Sequence, residues 1–458
     1  MAQPDLAQSA PHRVRGVLAI PAFRRLWSVT AVTAVAEWQS LLALSALATH
    51  LTSGYRAQSF ALGGVVATKL LPALLLGPLA GALADKLDRR HQMVVCDVLR
   101  AGLFLSIPLV GELAWLFAAT FLIELCALFW IPAKDASIPN LLRRPDQVET
   151  ANQLSLFMTY GAAVLLGAGV FSALSKLGPL LPEPGGPAYL ALSLNGVAYA
   201  CCAVVVWTRI PEISGRALTR REAQPGVLAM VRDGVVFVRG TALIRGLVSG
   251  ILGAFAAGGA VIACAKLYAT SLGGGDAAYG LLFASLFVGL GLGMALAPQA
   301  ARRVRHRGLF GLAIVAAGVA LVMVALAPHL FVALAAVILV GAGAGVAFLT
   351  GLTIIGAEVA DEIRGRTIAF VQSLVRLDLL ASMAVVPLAV GLVQQRTVEF
   401  LGGRATIDGT RPVLLCAGLL AVLVGALAHR QMDDRLDGSM ARDLRAALRR
   451  LSLPQDPE

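Results

Sequence analysis

Long apolar runs alternate with short polar connections along almost the whole chain. A helix needs roughly 20 predominantly apolar residues to cross the hydrocarbon core of a bilayer, and about twelve runs reach that length. They lie near residues 26–49, 59–84, 93–110, 113–132, 151–175, 188–208, 246–270, 278–298, 308–327, 329–357, 367–393 and 411–429. The alternating polarity that a transmembrane β-barrel would require is not seen in the sequence. The pattern therefore predicts an all-α membrane protein with about twelve transmembrane helices.

The composition supports a membrane environment. Of 458 residues, 58% are hydrophobic and 14% are charged, whereas soluble domains average roughly 25% charged residues. A soluble chain of this size would need more polar residues to cover its core, and lipid removes that need. The net charge of +11 would suggest a nucleic-acid partner in a soluble protein. Because the basic residues lie between the apolar runs, we interpret them as orientation signals and expect no nucleic acid to bind.

The distribution of Lys and Arg predicts how the chain crosses the membrane. If the N-terminus is cytoplasmic, the predicted inner segments contain 29 of the 38 Lys and Arg residues, and the outer loops contain five of them. Inner loops are enriched in these residues, and one missed span would reverse the assignment of every later loop. We therefore expect a multi-pass protein of the cell membrane with both termini in the cytoplasm.

The polar connections divide the chain into two similar halves. The longest connection, residues 209–245, is a predicted cytoplasmic linker between six-helix bundles at 26–208 and 246–430. Residues 1–25 and 431–458 are predicted cytoplasmic ends. Many transporters consist of two such repeats, with the substrate site at their interface. Glycine motifs in the eighth and tenth spans predict close packing of helices.

Five ionisable residues are of special interest because they lie toward the middle of predicted spans. They are Glu37, Lys69, Glu124, Arg376 and Asp378. A charge at the centre of a transmembrane helix costs roughly 2.5–3.5 kcal/mol on insertion scales, so such residues usually face a bundle interior or an aqueous cavity. They frequently mark the pathway of an ion or a substrate. We identify them as candidate residues for proton coupling or substrate binding.

Two interpretations of the acids remain open. Glu37 and Glu124 would be structural if each only neutralised Lys69 or Arg376, because buried charges are normally paired. At least one acid would be functional if it carried protons or bound substrate, which an apolar environment favours near neutral pH. The sequence alone does not decide between these interpretations.

Two charged pairs lie close together in the sequence. Asp97 and Arg100 are three residues apart near the predicted inner surface, and we expect them to form a local structural pair. Arg376 and Asp378 are two residues apart, so their side chains point to different sides of the helix. The sequence therefore predicts a local ion pair in the third span and separate partners in the eleventh.

The connection between the second and third spans contains a known motif. The stretch GPLAGALADKLDRRHQ, residues 77–92, resembles the signature of the major facilitator superfamily, which reads Gly, three residues, Asp, Arg/Lys, any residue, Gly, Arg/Lys, Arg/Lys. Asp88 stands in place of the second Gly, a departure found in the branch of drug–proton antiporters that includes macrolide and siderophore exporters. The matching positions are Gly81, Asp85, Lys86, Arg89 and Arg90.

Further segments resemble the same branch. Glu37-Trp38 stands where members of the branch often have an acid followed by Trp. Other similar segments are PAFRRLW at 21–27, VVCDVLRAG at 94–102, FWIPAKDASIPNLL at 129–142, ETANQLS at 149–155 and DEIRGRTIAF at 361–370. Since the segments occur in both halves, the resemblance extends over most of the chain.

The resemblance implies a secondary transporter whose two bundles rock about a central site. It also implies that Asp85 and Arg89, with Gly81 and Arg90, latch the cytoplasmic side while the outside is open. Three features differ from the antiporter pattern: the fifth span lacks its Gly-Pro, the loop at 301–307 lacks an Asp, and the fourth span lacks an Arg. The first and third of these differences argue against proton-driven drug antiport specifically, and they leave the predicted fold unchanged.

Residues and resemblance together favour a proton-coupled transporter that exports a small organic solute, with Glu37, Glu124 and Asp378 near the central site. A lipid or lysolipid flippase is an alternative. A non-transporting membrane sensor or scaffold is another, although a scaffold has no need of acids inside the membrane. We expect no enzymatic activity, because the sequence contains no phosphate-binding loop, no nucleophile elbow and no histidines at metal-ligand spacing. We accordingly expect no cofactor and no metal, and a monomer in the lipid bilayer.

Overall fold

The computed structural model describes residues 10–84, 87–142, 144–180, 185–215, 242–302, 305–358, 396–400 and 403–432 in full. Between residues 374 and 393 it describes only short pieces. The chain divides into two compact units. Unit 1 comprises Met1–Ser53 and Gly64–Gln224, and unit 2 comprises Gly54–Gly63 and Pro225–Glu458. Most of the predicted linker and the predicted tail lie outside the described residues, so their boundaries stay predictions.

Helices form nearly all of the described part of unit 1. They are α1 (Ala10–Leu18), α2 (Pro21–His50), α3 (Tyr55–Ala84, whose first residues are grouped with unit 2), α4 (Arg89–Val110), α5 (Leu113–Leu141), α6 (Pro145–Phe157), α7 (Ala163–Ser175) and α8 (Gly186–Arg209). A π-helical turn, Met158–Ala162, joins α6 to α7. Their ends follow local sequence signals: Pro21 begins α2, and Gly111, with a φ of 65°, ends α4.

Unit 2 has the same helical character. Its elements are α9 (Ala242–Ser271), α10 (Gly275–Ala301), α11 (His306–Leu326), α12 (Leu330–Glu358), β1 (Arg396–Phe400), β2 (Gly403–Ile407) and α13 (Thr410–Met432). Within the described residues of both units, nine helices are long and apolar enough to cross a membrane. They are α2, α4, α5, α8, α9, α10, α11, α12 and α13. The prediction of an all-α membrane protein is thereby confirmed.

Two predicted spans look different in the structure. The span expected near 151–175 is divided, because the π-helical turn separates α6 from α7. Most of the span expected near 367–393 lies outside the described residues. The described part of the chain therefore supports most of the twelve spans individually, and the total of twelve stays a prediction.

The β-hairpin before α13 was not predicted. Strand β1 pairs with β2 in antiparallel register, with Arg396 opposite Ile407 and Phe400 opposite Gly403. Five-residue strands are too short for their alternation to stand out in a mainly apolar sequence. The all-α prediction thus holds for the spanning helices and misses this connection.

Glycine lets the helices of unit 2 approach closely. A Cβ on Gly343 of α12 would lie 2.9 Å from the Ala313 carbonyl oxygen of α11. A Cβ on Gly418 of α13 would lie 2.9 Å from the Gly318 carbonyl oxygen, also on α11. Such distances require a small residue at the contact. The packing role predicted for the glycine motif of the tenth span is therefore found in α12.

Helix α2 lies at the centre of unit 1. It packs against α5, α7 and α8, while α4 packs against α5 and α8. Every residue from 42 to 49 of α2 is buried. A charged side chain on such a helix must find its partners inside the unit, because burial of an unpaired charge is costly. This requirement positions the site described next.

Candidate functional site

Glu37 of α2 is the centre of a charged cluster inside unit 1. Its Oε1 lies 3.3 Å from Nζ of Lys69 on α3, and its Oε2 lies 3.3 Å from Nη2 of Arg100 on α4. The hydroxyl of Tyr199, on α8, donates to the same Oε2 at 3.0 Å. Donors from three other helices therefore converge on one carboxylate.

Lys69 brings a second carboxylate into the cluster. Its ammonium also donates to Oε1 of Glu124 on α5. The side chains of Lys69 and Glu124 are 13% and 14% exposed, whereas that of Glu37 is 33% exposed. With Arg100, the cluster contains two acids and two cations, so it is electrically neutral when all four groups are ionised. Glu37 is therefore the most exposed member of the trio.

Arg100 is held rigidly beside both acids. Its Nε donates to the Ile123 carbonyl at 3.3 Å, directly before Glu124 in the chain. The guanidinium lies 4.8 Å from the ring centroid of Tyr199, and that ring is stacked on Phe104 at 5.5 Å. A cation over an aromatic face is attracted by the ring quadrupole. These contacts fix the direction from which Arg100 reaches Glu37.

The cluster has the character of an ion-pair network and not of a metal centre. Its carboxylate oxygens face the cations and hydroxyl just described. Within the described ranges, no group of three or more His, Cys, Asp or Glu side chains could hold a metal ion. A network of this kind can change its ionic partners when one of its groups gains or loses a charge.

The structure brings together three of the five predicted mid-span residues: Glu37, Lys69 and Glu124. The pairing of both acids with Lys69 was one of the two interpretations of the sequence. Tyr199 was missed, because nothing in the sequence distinguishes it from any other tyrosine in a span. Only its place on a helix that packs against α2 brings its hydroxyl to the site.

The expected local pair of Asp97 and Arg100 is not formed, and this prediction was wrong. Asp97 is fully buried, and neither of its carboxylate oxygens has a hydrogen-bond partner. Arg100 instead pairs with Glu37, which is 63 positions away in the sequence. A spacing of three residues allows a contact on one helix, but a carboxylate on a neighbouring helix competes for the same cation.

The remaining two mid-span candidates belong to unit 2. Asp378 lies in a short helical piece, is half-buried, and has an Oδ2 without a hydrogen-bond partner in the described structure. Arg376 lies outside the described residues. Unit 2 also contains an ion pair that sequence reasoning missed, between buried Lys266 of α9 and Asp276 of α10. This pair closes the α9–α10 turn.

The signature loop is only partly described. Gly81 lies in the last turn of α3, and Asp85 and Lys86 lie outside the described residues. Arg89 is buried at the start of α4, where its backbone N–H donates to the Gly215 carbonyl at 3.2 Å. The predicted contact between Asp85 and Arg89 therefore stays a prediction.

Arg90 ties the start of α4 to the end of α8. Its guanidinium donates to the carbonyls of Val206 and Trp207. It also lies 4.9 Å from the Trp207 ring centroid. Carbonyls at a helix C-terminus lack partners within their own helix, and a cation there is favourable. Arg90 thus has a structural contact in addition to its charge.

Asp88, where the signature has Gly, caps α4 and holds the segment after α8. Its carboxylate accepts from the His91 N–H at 3.0 Å, from Ser214 Oγ at 2.7 Å and from the Gly215 N–H at 2.8 Å. The His91 ring Nδ1 lies 3.0 Å from the same carboxylate. Partial burial opposes ionisation of Asp88, but these hydrogen bonds outweigh it and lower the pKa of Asp88 well below its usual range. The departure from the signature therefore has a structural role.

A comparison with protein families covers almost the whole chain. The family described as transmembrane secretion effector matches residues 16–438. The chain belongs to this family. It is a branch of the major facilitator superfamily, as the signature around Gly81 and Asp85 predicted. The protein is therefore a multi-pass membrane protein of this superfamily.

Proteins of Bacillus share segments with it. The chain is 22% identical over 187 residues to the Uncharacterized MFS-type transporter YkuC of Bacillus subtilis (strain 168), over 39% of this chain and 41% of that protein. It is 30% identical over 148 residues to the Putative bacilysin exporter BacE of Bacillus subtilis, over 31% of this chain and 34% of that protein. The chain thus spans only 34% and 41% of the length of these relatives.

Solved transporter structures share the fold. The nucleoside transporter NupG matches with a TM-score of 0.69 at 14% identity, over 90% of this chain and all 100% of that one. A bacterial homolog of the human lysosomal transporter Spinster matches with a TM-score of 0.66 at 14% identity, over 93% and 97%. The xylose transporter XylE from E. coli matches with a TM-score of 0.62 at 13% identity, over 93% and 99%. At these identities the likeness establishes the fold alone.

Proposed function

We propose that the protein is a proton-coupled exporter that moves a small organic solute by alternating access. The observation that carries this proposal is the cluster in which Lys69 joins Glu37 and Glu124, with Arg100 and Tyr199 beside them. Buried charges are costly unless they are paired. A neutral group of four ions must therefore form new pairs whenever a proton or a charged solute enters or leaves. This change in pairing is the physical basis for coupling protonation to conformation.

The two acids have different surroundings, and we assign them different roles. Glu37 accepts from Lys69, Arg100 and Tyr199, so it anchors the cations. Glu124 accepts from Lys69, and we assign to it the uptake and release of the proton. When Glu124 is protonated, the Lys69 ammonium is left with Glu37 as its anionic partner. Lys69 is thus the mobile group of the cluster.

We assign Asp378 and Arg376 to the solute or proton pathway in unit 2. Among the described residues, the buried Oδ2 of Asp378 has no hydrogen-bond partner. This supports the role, because a buried carboxylate oxygen without a donor is unfavourable unless another group binds there. Arg376 retains the role that the sequence suggested. Both assignments are tested by the same transport assay as those of unit 1.

We further propose that Gly81, Asp85, Arg89 and Arg90 form a cytoplasmic latch, as the resemblance to the superfamily implies. The contacts of Arg89 with Gly215 and of Arg90 with the end of α8 support a fixed position for the basic half of the loop. In a latch, Asp85 needs a basic partner that is held in a fixed position. The distribution of basic residues supports placing this loop and both termini in the cytoplasm.

Export is favoured over import by two observations. The family is described as a secretion effector, and one relative is named as a bacilysin exporter. The resemblance to drug–proton antiporters points in the same direction. We propose a monomer of the cell membrane that exchanges protons for the exported solute.

Proteoliposomes that contain the purified chain test the proposal. A pH gradient is imposed, and movement of a macrolide, of bacilysin and of a fluorescent lysolipid is measured. We expect one of the two antibiotics to move at a rate that falls at least tenfold when the gradient is collapsed, or when Glu124→Gln is introduced (about 1.4 kcal/mol). Glu112→Gln is the matched control, because Glu112 is an exposed acid just before the same helix, α5. This variant should transport like the wild type.

The possible outcomes separate the alternatives. Transport that survives both collapse of the gradient and Glu124→Gln would show that proton coupling through Glu124 is wrong. Movement of the lysolipid without movement of either antibiotic would favour the flippase. Failure to move any of the three probes under any gradient would remove the support for export of these solute classes.

A further inference from the structure

The fifth predicted span is interrupted by the π-helical turn Met158–Ala162. At the end of this turn the Ala163 N–H bonds to the Met158 carbonyl, five residues back. An α-helix would instead pair that N–H with the Thr159 carbonyl. The Thr159 carbonyl therefore loses the bond from Ala163 that an α-helix would give it. Single π turns inside α-helices are frequent at functional sites.

Trp38 of α2 binds the Thr159 carbonyl. Its indole Nε1 donates to the Thr159 oxygen at 2.7 Å. In the interior of a membrane no water is present to satisfy such a group, so a protein donor is needed. The hydrogen bond thus joins α2 to the interrupted span at the π-helical turn.

A close backbone contact fixes the same part of α2 against α7. A Cβ on Gly167 would lie 2.9 Å from the Gln39 backbone N and 3.0 Å from the Trp38 Cβ. Around Trp38 the packing is apolar and small, with contributions from Ala34, Met158, Ala162 and Ala163. Trp38 is therefore held both at its indole nitrogen and at its base.

Glu37 immediately precedes Trp38, so the two side chains leave α2 about 100° apart. Trp38 faces the interrupted span, and Glu37 faces Lys69, Arg100 and Tyr199. We propose that Trp38 is a positioning residue for Glu37. Its bond to the Thr159 carbonyl sets the rotation of α2 and so keeps Glu37 in contact with its three donors. This inference rests on the proposed role of the charged cluster in proton coupling.

The groups that determine the charge state around this position come from four helices. They are Lys69 on α3, Arg100 on α4, Glu124 on α5 and Tyr199 on α8. On the face of α2 that carries Trp38, the hydrophobic residues of the same cluster include Ala34, Met158, Ala162 and Ala163. The proposed role requires that a change in protonation at the charged cluster reaches Trp38 through the rotation of α2.

The indole N–H signals of the five tryptophans, measured by NMR on the full chain labelled with ¹⁵N-Trp, test the inference without a substrate. Trp38 is assigned by its loss in Trp38→Phe, or by elimination from Phe variants of the other four. We expect its N–H to exchange with D₂O more slowly than that of Trp207, which is 47% exposed. We also expect its ¹⁵N shift to change with pH in the wild type and to be constant in Glu37→Gln.

Transport provides the second readout, with whichever probe the proteoliposome assay identifies. Trp38→Phe keeps an aromatic ring and removes the donor, and it should shift the pH of half-maximal rate by about one unit. Trp115→Phe is the matched control, because it removes an indole hydrogen bond to Ser106 Oγ at 3.0 Å elsewhere in unit 1. The control should keep the wild-type pH profile.

Any one of three results would overturn the positioning role. They are hydrogen exchange of the Trp38 N–H as fast as that of Trp207, a Trp38 ¹⁵N shift that does not change with pH, and a wild-type pH profile of transport in Trp38→Phe. With Trp38 assigned by elimination from Phe variants of the other four tryptophans, the NMR measurements compare the wild type with Glu37→Gln, so they decide even if Trp38→Phe fails to fold. The Trp38 shift could change with pH only when Glu37 is present, while the transport rate is independent of the pH gradient. In that case the positioning role is supported and the proposed proton coupling is wrong.

Discussion

Lys69 and Glu37 place opposite charges 3.3 Å apart on neighbouring helices. The same ammonium also pairs with Glu124, so that one cation serves two acids. Removal of one partner from a buried ion pair costs more than the pair itself contributes, because it leaves an uncompensated charge. The balance of charge in the cluster, more than any single contact, therefore determines the effect of a substitution.

Lys69→Met leaves Glu37 and Glu124 with Arg100 as their remaining cation. We expect this variant to lose transport and to be destabilised by about 3–5 kcal/mol, the usual effect of breaking a buried pair. The double variant Lys69→Met/Glu124→Gln restores neutrality, so its apparent Tm should recover while its transport does not. Thermal unfolding in detergent and proteoliposome rates measure the two effects.

The matched control for this charge test is Lys176→Met, since Lys176 is an exposed lysine just after α7. It should leave both the Tm and the transport rate unchanged. A Lys69→Met protein as stable as the wild type would contradict the ionised cluster. A double variant no more stable than the single one would contradict the role of charge balance.

Tyr199→Phe separates the hydroxyl of this residue from its ring. The ring would keep its stacking on Phe104 and its position under Arg100, while Glu37 would lose a donor. A hydrogen bond to a charged group contributes about 1.5–3 kcal/mol, so transport should fall about tenfold or more. The measurement is the initial rate under a fixed pH gradient.

Tyr199→Leu removes the ring as well and serves as the comparison. It should be less stable than Tyr199→Phe, because the contact with the guanidinium is also lost. Equal Tm values for the two variants would show that the ring contributes nothing. Wild-type transport in Tyr199→Phe would show that the hydroxyl is dispensable.

The sequence predicts the charged site only in part, for a physical reason. Glu37, Lys69 and Glu124 are recognisable because a charge inside an apolar run has a known cost. The partner of Arg100 is not recognisable from the sequence. Whether Arg100 pairs with Asp97 or with Glu37 depends on how α4 is rotated against α2. Hydropathy determines where a helix lies but leaves its rotation open.

The same limit applies to the interrupted span and to the hairpin. The span at 151–175 reads as one apolar run, since no Pro in it signals the π-helical turn at Met158–Ala162. The strands at Arg396–Phe400 and Gly403–Ile407 are stabilised by pairing with each other, which a short window does not reveal. The spanning helices, in contrast, follow from composition and length alone and were predicted.

Glycine packing in unit 2 gives a stability prediction with an internal control. Gly343→Ala places a Cβ 2.9 Å from the Ala313 carbonyl oxygen, so α11 and α12 must separate. We expect a loss of about 1–3 kcal/mol, as in other overpacked cores. Gly291→Ala, on α10, meets no atom within 4 Å and should be neutral or slightly stabilising. Thermal unfolding compares them, and equal Tm values would contradict close packing at Gly343.

Asp88 leads to a prediction about pH. Its folded pKa is lowered because four hydrogen bonds to the carboxylate outweigh the effect of partial burial. A group with a lowered folded pKa stabilises the protein fully above its unfolded value, about 3.9, and loses that contribution as the pH falls through the folded value. The difference in Tm between wild type and Asp88→Asn should therefore be constant between about pH 7 and pH 5 and shrink below about pH 4.

The same variant should release the segment that Asp88 holds. Because Ser214 and Gly215 bond to this carboxylate, trypsin should cleave after Arg209 and Arg216 faster in Asp88→Asn than in the wild type. Asp135→Asn is the control, since Asp135 is 52% exposed and pairs with its neighbour Lys134. If cleavage rates are equal in all three proteins, the hydrogen bonds of Asp88 do not hold this segment, and the departure from the signature glycine acts only as the N-cap of α4.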